Sequence, residues 1–198
     1  GLGDVYKRQL MLHREIIRYD GTEENYVEKL KYALLSKKER ARFPDDEEFK
    51  AAFEERPVYL MNSKNKIYIL ERFENFGTSE GKDVYRHCDD GTYSIEHIMP
   101  QHLTPVWQKE LGDDYEQIHE MWLHRMANLT LTAYNSKYSN SSFTEKKTMQ
   151  NGFDDSGIRM NTWIAKKDKW TLAELEERSE YLMGRALSIW AAPVTEYK

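Results

Sequence analysis

One short segment carries residue types that can do hydrolytic chemistry, Ser94-Ile-Glu-His-Ile-Met-Pro-Gln101. It sets a carboxylate, Glu96, beside an imidazole, His97, in a run that alternates like a strand, with Pro100 to end it. Neighbouring strand residues point to opposite faces, so the two can serve one site only where the strand ends or bulges. Phosphodiester hydrolysis would use such a pair. A neutral histidine can take a proton from water near pH 7, and a Mg²⁺-type cation can neutralise charge at the phosphate and the leaving oxygen. Mg²⁺ keeps several waters, so one carboxylate and one amide oxygen suffice to hold it. Asparagines follow at Asn128, Asn135 and Asn140. One of them could supply the amide oxygen, and another could hold the histidine loop by hydrogen bonds.

Helices must position these residues. An apolar stripe from Asn25 to Leu35 predicts a helix, and Phe43-Pro44-Asp45-Asp46 breaks it and starts a second, with Phe49, Ala52 and Phe53 inward and Pro57 at its end. Ile67, Leu70, Phe73 and Phe76 predict a third helix, closed at Gly77. Residues 77–92 read as a loop by their glycines. Strands are expected at 93–98 and at 128–132, with helices from Thr104-Pro105 and from Asp113 or Asp114 between them. Ser142-x-x-Glu145 and Thr171-x-x-Glu174 are capping boxes for two later helices. Five tryptophans sit at helical positions and read as core.

In order and spacing these pieces resemble the HNH nuclease superfamily. More closely, they resemble the C-terminal domain of the GmrSD family of modification-dependent restriction endonucleases. The matching text is Ile95-Glu-His-Ile-Met-Pro-Gln101 with its His-x-x-Pro element, Trp107, His124-Arg-Met-Ala-Asn-Leu-Thr-Leu-Thr132, and Tyr134-Asn-Ser-Lys-Tyr-Ser-Asn140. It continues with Phe143, Lys146-Lys147, Asp155-Ser156, Arg159-Met-Asn161, Trp170, Arg178 and Ile189-Trp190. Upstream, Arg42-Phe-Pro-Asp-Asp-Glu-Glu-Phe49 and Tyr68-Ile-Leu-Glu71 also match.

The resemblance implies an α+β fold, mostly helical, with a small ββα-metal nucleus flanked by helical lobes. Its expected boundaries are a non-native tail at 1–9, a helical lobe at 10–92, the nuclease core at 93–151 and a C-terminal lobe at 152–198. It implies a metal-dependent DNA endonuclease of a restriction or anti-phage system. His97 would be the general base and Asn128 the residue that orients its loop. Glu96 and Asn135 would hold the metal, with Asn140 as the rival of Asn135. Mg²⁺ is the expected ion, with Mn²⁺ as a substitute and no zinc. Lys137, Lys146 and Lys147 would meet phosphates. The family also implies a nucleotide-using ParB-like domain or subunit, which this chain does not resemble, so the chain reads as the C-terminal part of a longer protein or a stand-alone nuclease domain. Alternatives are a silent DNA-binding or assembly module of the same fold, or an RNA nuclease. Ala127 and Ala133 stand where the family pattern carries glycine, and would be strained if either position needed φ > 0.

Composition frames these expectations. The 198 residues carry 29 basic and 34 acidic side chains, net −5, which argues against a non-specific nucleic-acid coat. The charge is uneven: residues 135–170 hold seven Lys/Arg against four acids, a local +3 that would suit a DNA backbone. A single cysteine, Cys88, excludes an internal disulfide and a Cys-rich zinc site. Apolar runs are too short for a membrane span, and a cytoplasmic protein is expected.

Overall fold

A computed structural model describes residues 10, 13–14, 18, 23–36, 43–134 and 138–196. The expected tail at 1–9 lies outside the described residues, as do Asn135 and Lys137. The chain divides into two compact units, one of residues 1–49 with 191–198, the other Lys50–Trp190. In the first, helix α1 (Glu23–Leu35) buries Ala33, while Val27 and Leu35 of its stripe stay exposed. Thr195 donates its hydroxyl to the Glu28 carbonyl at 3.1 Å and ties the C-terminal segment to α1.

Helix α2 (Asp46–Glu55) opens on Asp46, Glu47 and Glu48, acids at the positive end of the helix dipole. Contrary to the expected inward face, none of its residues is fully buried, although Phe53 meets Phe73 at 5.9 Å. Helix α3 (Ser63–Asn75) starts at Asn62, whose side chain accepts from the Asn65 N–H, and the chain then turns through Gly77 at φ 77°. The expected loop at 77–92 contains a helix instead, α4 (Val84–Asp89). Asp83 caps it by accepting from the Arg86 N–H, and Val84 is fully buried. A glycine count cannot anticipate a helix of six residues held by one cap and one core contact.

Strands β1 (Ser94–His97) and β2 (Leu129–Thr132) pair antiparallel, with Glu96 opposite Thr130 and His97 opposite Leu129. Between them run α5 (Pro105–Leu111) and α6 (Tyr115–Trp122). A 3₁₀ turn, Met126–Asn128, delivers β2, and α7 (Phe143–Thr148) follows it behind the Ser142–Glu145 capping box. Helices α8 (Asn161–Ala165) and α9 (Leu172–Ile189) complete the fold. The architecture is therefore mostly helical with one small antiparallel sheet.

The core wraps the sheet. Ile98, Met99, Trp107, Phe143, Ile164 and Trp170 form one buried cluster. Trp107 and Trp170 are fully buried and Trp122 nearly so, as the core reading expected. Neither Ala127 nor Ala133 has positive φ, which among the described non-glycine residues is found at Ser139 and Asn151. The alanines therefore carry no left-handed strain.

Candidate nuclease site

β1 ends at His97, and the chain leaves it under tight control. Asn128 is fully buried. Its Oδ1 accepts from the Met99 N–H at 2.8 Å, and its Nδ2 donates to the Met99 carbonyl at 2.9 Å and the Leu123 carbonyl at 3.1 Å. Its own carbonyl accepts from the Ile98 N–H at 3.0 Å. Trp170 Nε1 donates to Oδ1 at 3.3 Å from α9's approach. One amide side chain thus pairs both backbone groups of Met99, which a side chain with one acceptor and two donor hydrogens can do at no cost in unpaired atoms. The segment His97–Met99 is clamped to the entrance of β2.

Glu96 and His97 are both buried, at 4 % and 5 % exposure, and both border one cavity of about 220 Å³. Tyr59, Ile95, Pro100, Gln101, His102, Ser139 and Asn140 complete its wall. The strand end thus brings two neighbouring side chains to one space. Asn140 is placed there with them. Asn135 lies outside the described residues.

Lys146 takes a place the sequence did not assign to it. Expected to meet a phosphate, it is fully buried on α7. Its Nζ lies 2.5 Å from Glu96 Oε1 and donates to the carbonyls of His97 at 2.9 Å and Ile98 at 3.2 Å. The DNA-contact expectation for Lys146 is corrected on that ground: an ammonium without solvent access, spent on three internal acceptors, cannot reach a strand. Lys147 is also engaged, donating to the Lys167 carbonyl at 2.7 Å and facing Asp168 at 3.3 Å. Lys167 in turn pairs with Glu177 at 2.5 Å. The basic run after β2 is largely a structural brace.

Burial sets the protonation at the cavity. It pushes the Glu96 carboxyl up to about 7, against the pull of the Lys146 ammonium, and it pushes Lys146 down, against the pull of Glu96. It also pulls the His97 imidazole down to about 3, with the neighbouring His124 and Lys146 adding to the effect. His97 is therefore a neutral ring at physiological pH.

Two residues pack around His97, His124 from the segment that matches the family pattern and Tyr59, which the sequence did not mark. His97 Nε2 and His124 Nδ1 are 3.2 Å apart. Tyr59 stacks on His124, with centroids at 5.3 Å and planes at 11°, and meets His97 edge-on at 4.3 Å. His124 opens the segment that leads into β2. Tyr59 lies far upstream in a 3₁₀ turn.

A family model described as GmrSD restriction endonucleases, C-terminal domain, matches residues 43–185. The chain belongs to this family. No curated protein matches it. The part of the chain assigned to the GmrSD C-terminal family holds every residue around the cavity, from Tyr59 to Asn140, and the clamp built on Asn128. Among the described residues no helix is long and apolar enough to cross a membrane.

Proposed function

We propose that this GmrSD C-terminal domain hydrolyses DNA phosphodiesters at an HNH-type ββα-metal site, as the nuclease part of a modification-dependent restriction or anti-phage system. What supports the reading is one arrangement: a buried neutral imidazole and a carboxylate at the same strand end, opening on a cavity that also holds an asparagine.

His97 is the general base. Its neutral ring can accept a proton from water. Asn128 keeps the His97–Met99 segment from drifting, which matters because a misplacement of about 1 Å can cost a hundredfold in rate. The donor set suits Mg²⁺, with Mn²⁺ able to replace it. Glu96 and Asn140 offer the one carboxylate and one amide oxygen that a hydrated Mg²⁺ needs. Glu96 would hold the cation while its Oε1 also engages Lys146. When bound, the cation supplies charge neutralisation at the phosphate and leaving oxygen. Asn135 remains the other family candidate for the amide ligand. Lys137 and Lys147 are the remaining candidates for phosphate contact. A ParB-like nucleotide-using domain or subunit is the proposed partner.

Plasmid nicking with Mg²⁺ tests the function. Wild type is expected to nick supercoiled DNA, and His97→Ala and chelation are each expected to stop it. Equal nicking by wild type and His97→Ala, or none by either, would overturn the reading. Competition between duplex DNA and single-stranded RNA separates DNA from RNA as substrate.

A further inference from the structure

The bond between His97 and His124 has a direction that decides what His97 can do. A neutral imidazole carries one N–H and one lone pair. If His124 donated from Nδ1, His97 would spend its only lone pair on Nε2, and its remaining nitrogen would carry hydrogen. If His97 donates from Nε2, its Nδ1 keeps a lone pair. His97 Nε2 and His124 Nδ1 face each other at 3.2 Å, so one of the two nitrogens donates and the other accepts. Tyr59 fixes the two rings together, stacking on one, meeting the edge of the other, and donating its backbone N–H to the His124 carbonyl at 3.1 Å.

We propose that His124 is a positioning residue: its Nδ1 accepts the Nε2 hydrogen of His97 and so makes Nδ1 of His97 the atom that takes the proton of the attacking water. The proposal rests on the reading of His97 as general base. In the step it serves, water gives a proton to His97 Nδ1 and its oxygen bonds phosphorus. The P–O bond to the leaving oxygen breaks, and that oxygen is protonated from solvent. The resulting imidazolium keeps its bond to His124, because its Nε2 still carries hydrogen. Tyr59 belongs to the same device, since it sets the plane of the His124 ring and hence the aim of its lone pair.

The test reads tautomer and rate separately, on the full chain. In ¹⁵N-histidine-labelled protein, two-bond proton–nitrogen correlations report which nitrogen of His97 carries hydrogen. Wild type is expected to show hydrogen on Nε2. His124→Phe keeps a ring against Tyr59 but removes the acceptor. It is expected to lower kcat for plasmid nicking by about tenfold to a hundredfold with KM for DNA unchanged, as other residues that orient a working histidine do. It should also turn the His97 signal into a mixture of tautomers. His124→Asn, whose Oδ1 can accept in the same place, is expected to restore most of kcat although it lacks the stacking ring. Hydrogen on Nδ1 in wild-type protein that nicks DNA would overturn this inference alone, and so would an unchanged kcat in His124→Phe. Failure of the wild type to nick would overturn the nuclease reading on which it rests.

Discussion

Two buried polar residues do the local work at the strand end, and each can be removed alone. Asn128→Ala leaves the Met99 N–H and carbonyl buried without partners. Unmet buried groups cost about 1–3 kcal/mol each, so a loss of about 2–5 kcal/mol is expected in urea unfolding. Nicking should fall further than stability accounts for, because His97 loses its anchor. Lys146→Met strands Glu96 in the core. Breaking one side of a buried pair costs about 3–5 kcal/mol, whereas replacing both sides is often neutral. The double variant Glu96→Gln with Lys146→Met is therefore expected to be more stable than Lys146→Met alone, as a thermodynamic cycle of unfolding free energies would measure. A double variant that unfolds more readily than Lys146→Met would show that Glu96 is held by something other than Lys146. Cys88, half-buried with its thiol pushed up by burial and by Asp90, has the character of an inert side chain.

At the scale of elements, the starts of α7 and α9 make the fold sensitive to acid. Ser142 bonds, backbone first and then side chain, hold the Glu145 carboxyl below its usual value of 4.5. Burial pushes Glu174 up, but the side-chain and backbone bonds from Thr171 outweigh it, and Glu174 too is lowered. A carboxyl lowered on folding adds stability above its unfolded pKa and loses it as pH falls through the folded value. Between about pH 7 and pH 3 these two carboxyls lose that contribution, so Glu145→Gln with Glu174→Gln should lower the melting temperature more at pH 7 than at pH 3. An equal loss at both pH values would mean other carboxylates carry the acid sensitivity. The sheet depends on such anchors as well. Thr130 donates to Asn161 Oδ1 at 2.5 Å, and Asn161 Nδ2 reaches the Leu131 carbonyl at 3.2 Å, so α8 is pinned to β2.

Across the Lys50–Trp190 unit, segments distant in sequence are joined by one buried carboxylate. Glu74, on α3, is fully buried and accepts from the backbone N–H groups of Arg159 at 2.9 Å and Met160 at 3.0 Å, while Lys82 approaches at 2.8 Å. It ties the helical region before the sheet to the approach of α8. Glu74→Leu removes the acceptor and leaves two backbone donors and an ammonium without it. Unfolding by urea should show a loss of about 3–5 kcal/mol, larger than for any exposed glutamate. A change under about 0.5 kcal/mol, the range of ordinary surface substitutions, would mean the connection is carried elsewhere. Arg178 has a related task on α9: fully buried, it donates to the Ala127 carbonyl at 2.7 Å, directly behind Asn128. Its guanidinium, pushed down to about 9 by burial, lies 5.8 Å from the Trp170 ring centroid.

By itself the sequence determined the local pieces: both capping boxes, the helix after Asn62, the two short strands, and the family to which the chain belongs. Each of these is written in neighbouring residues, in a capping oxygen three positions from its donor or an alternation of period two. The pairing of Glu96 with Lys146, the contact of His97 with His124 and the placing of Asn140 at the same cavity were decided only in three dimensions. These contacts join residues tens of positions apart, and charge sums cannot foresee them. A lysine run of +3 reads the same whether its ammonium groups face solvent or close on a buried carboxylate. Only burial tells the two apart, because desolvation makes a charge costly enough to demand a partner.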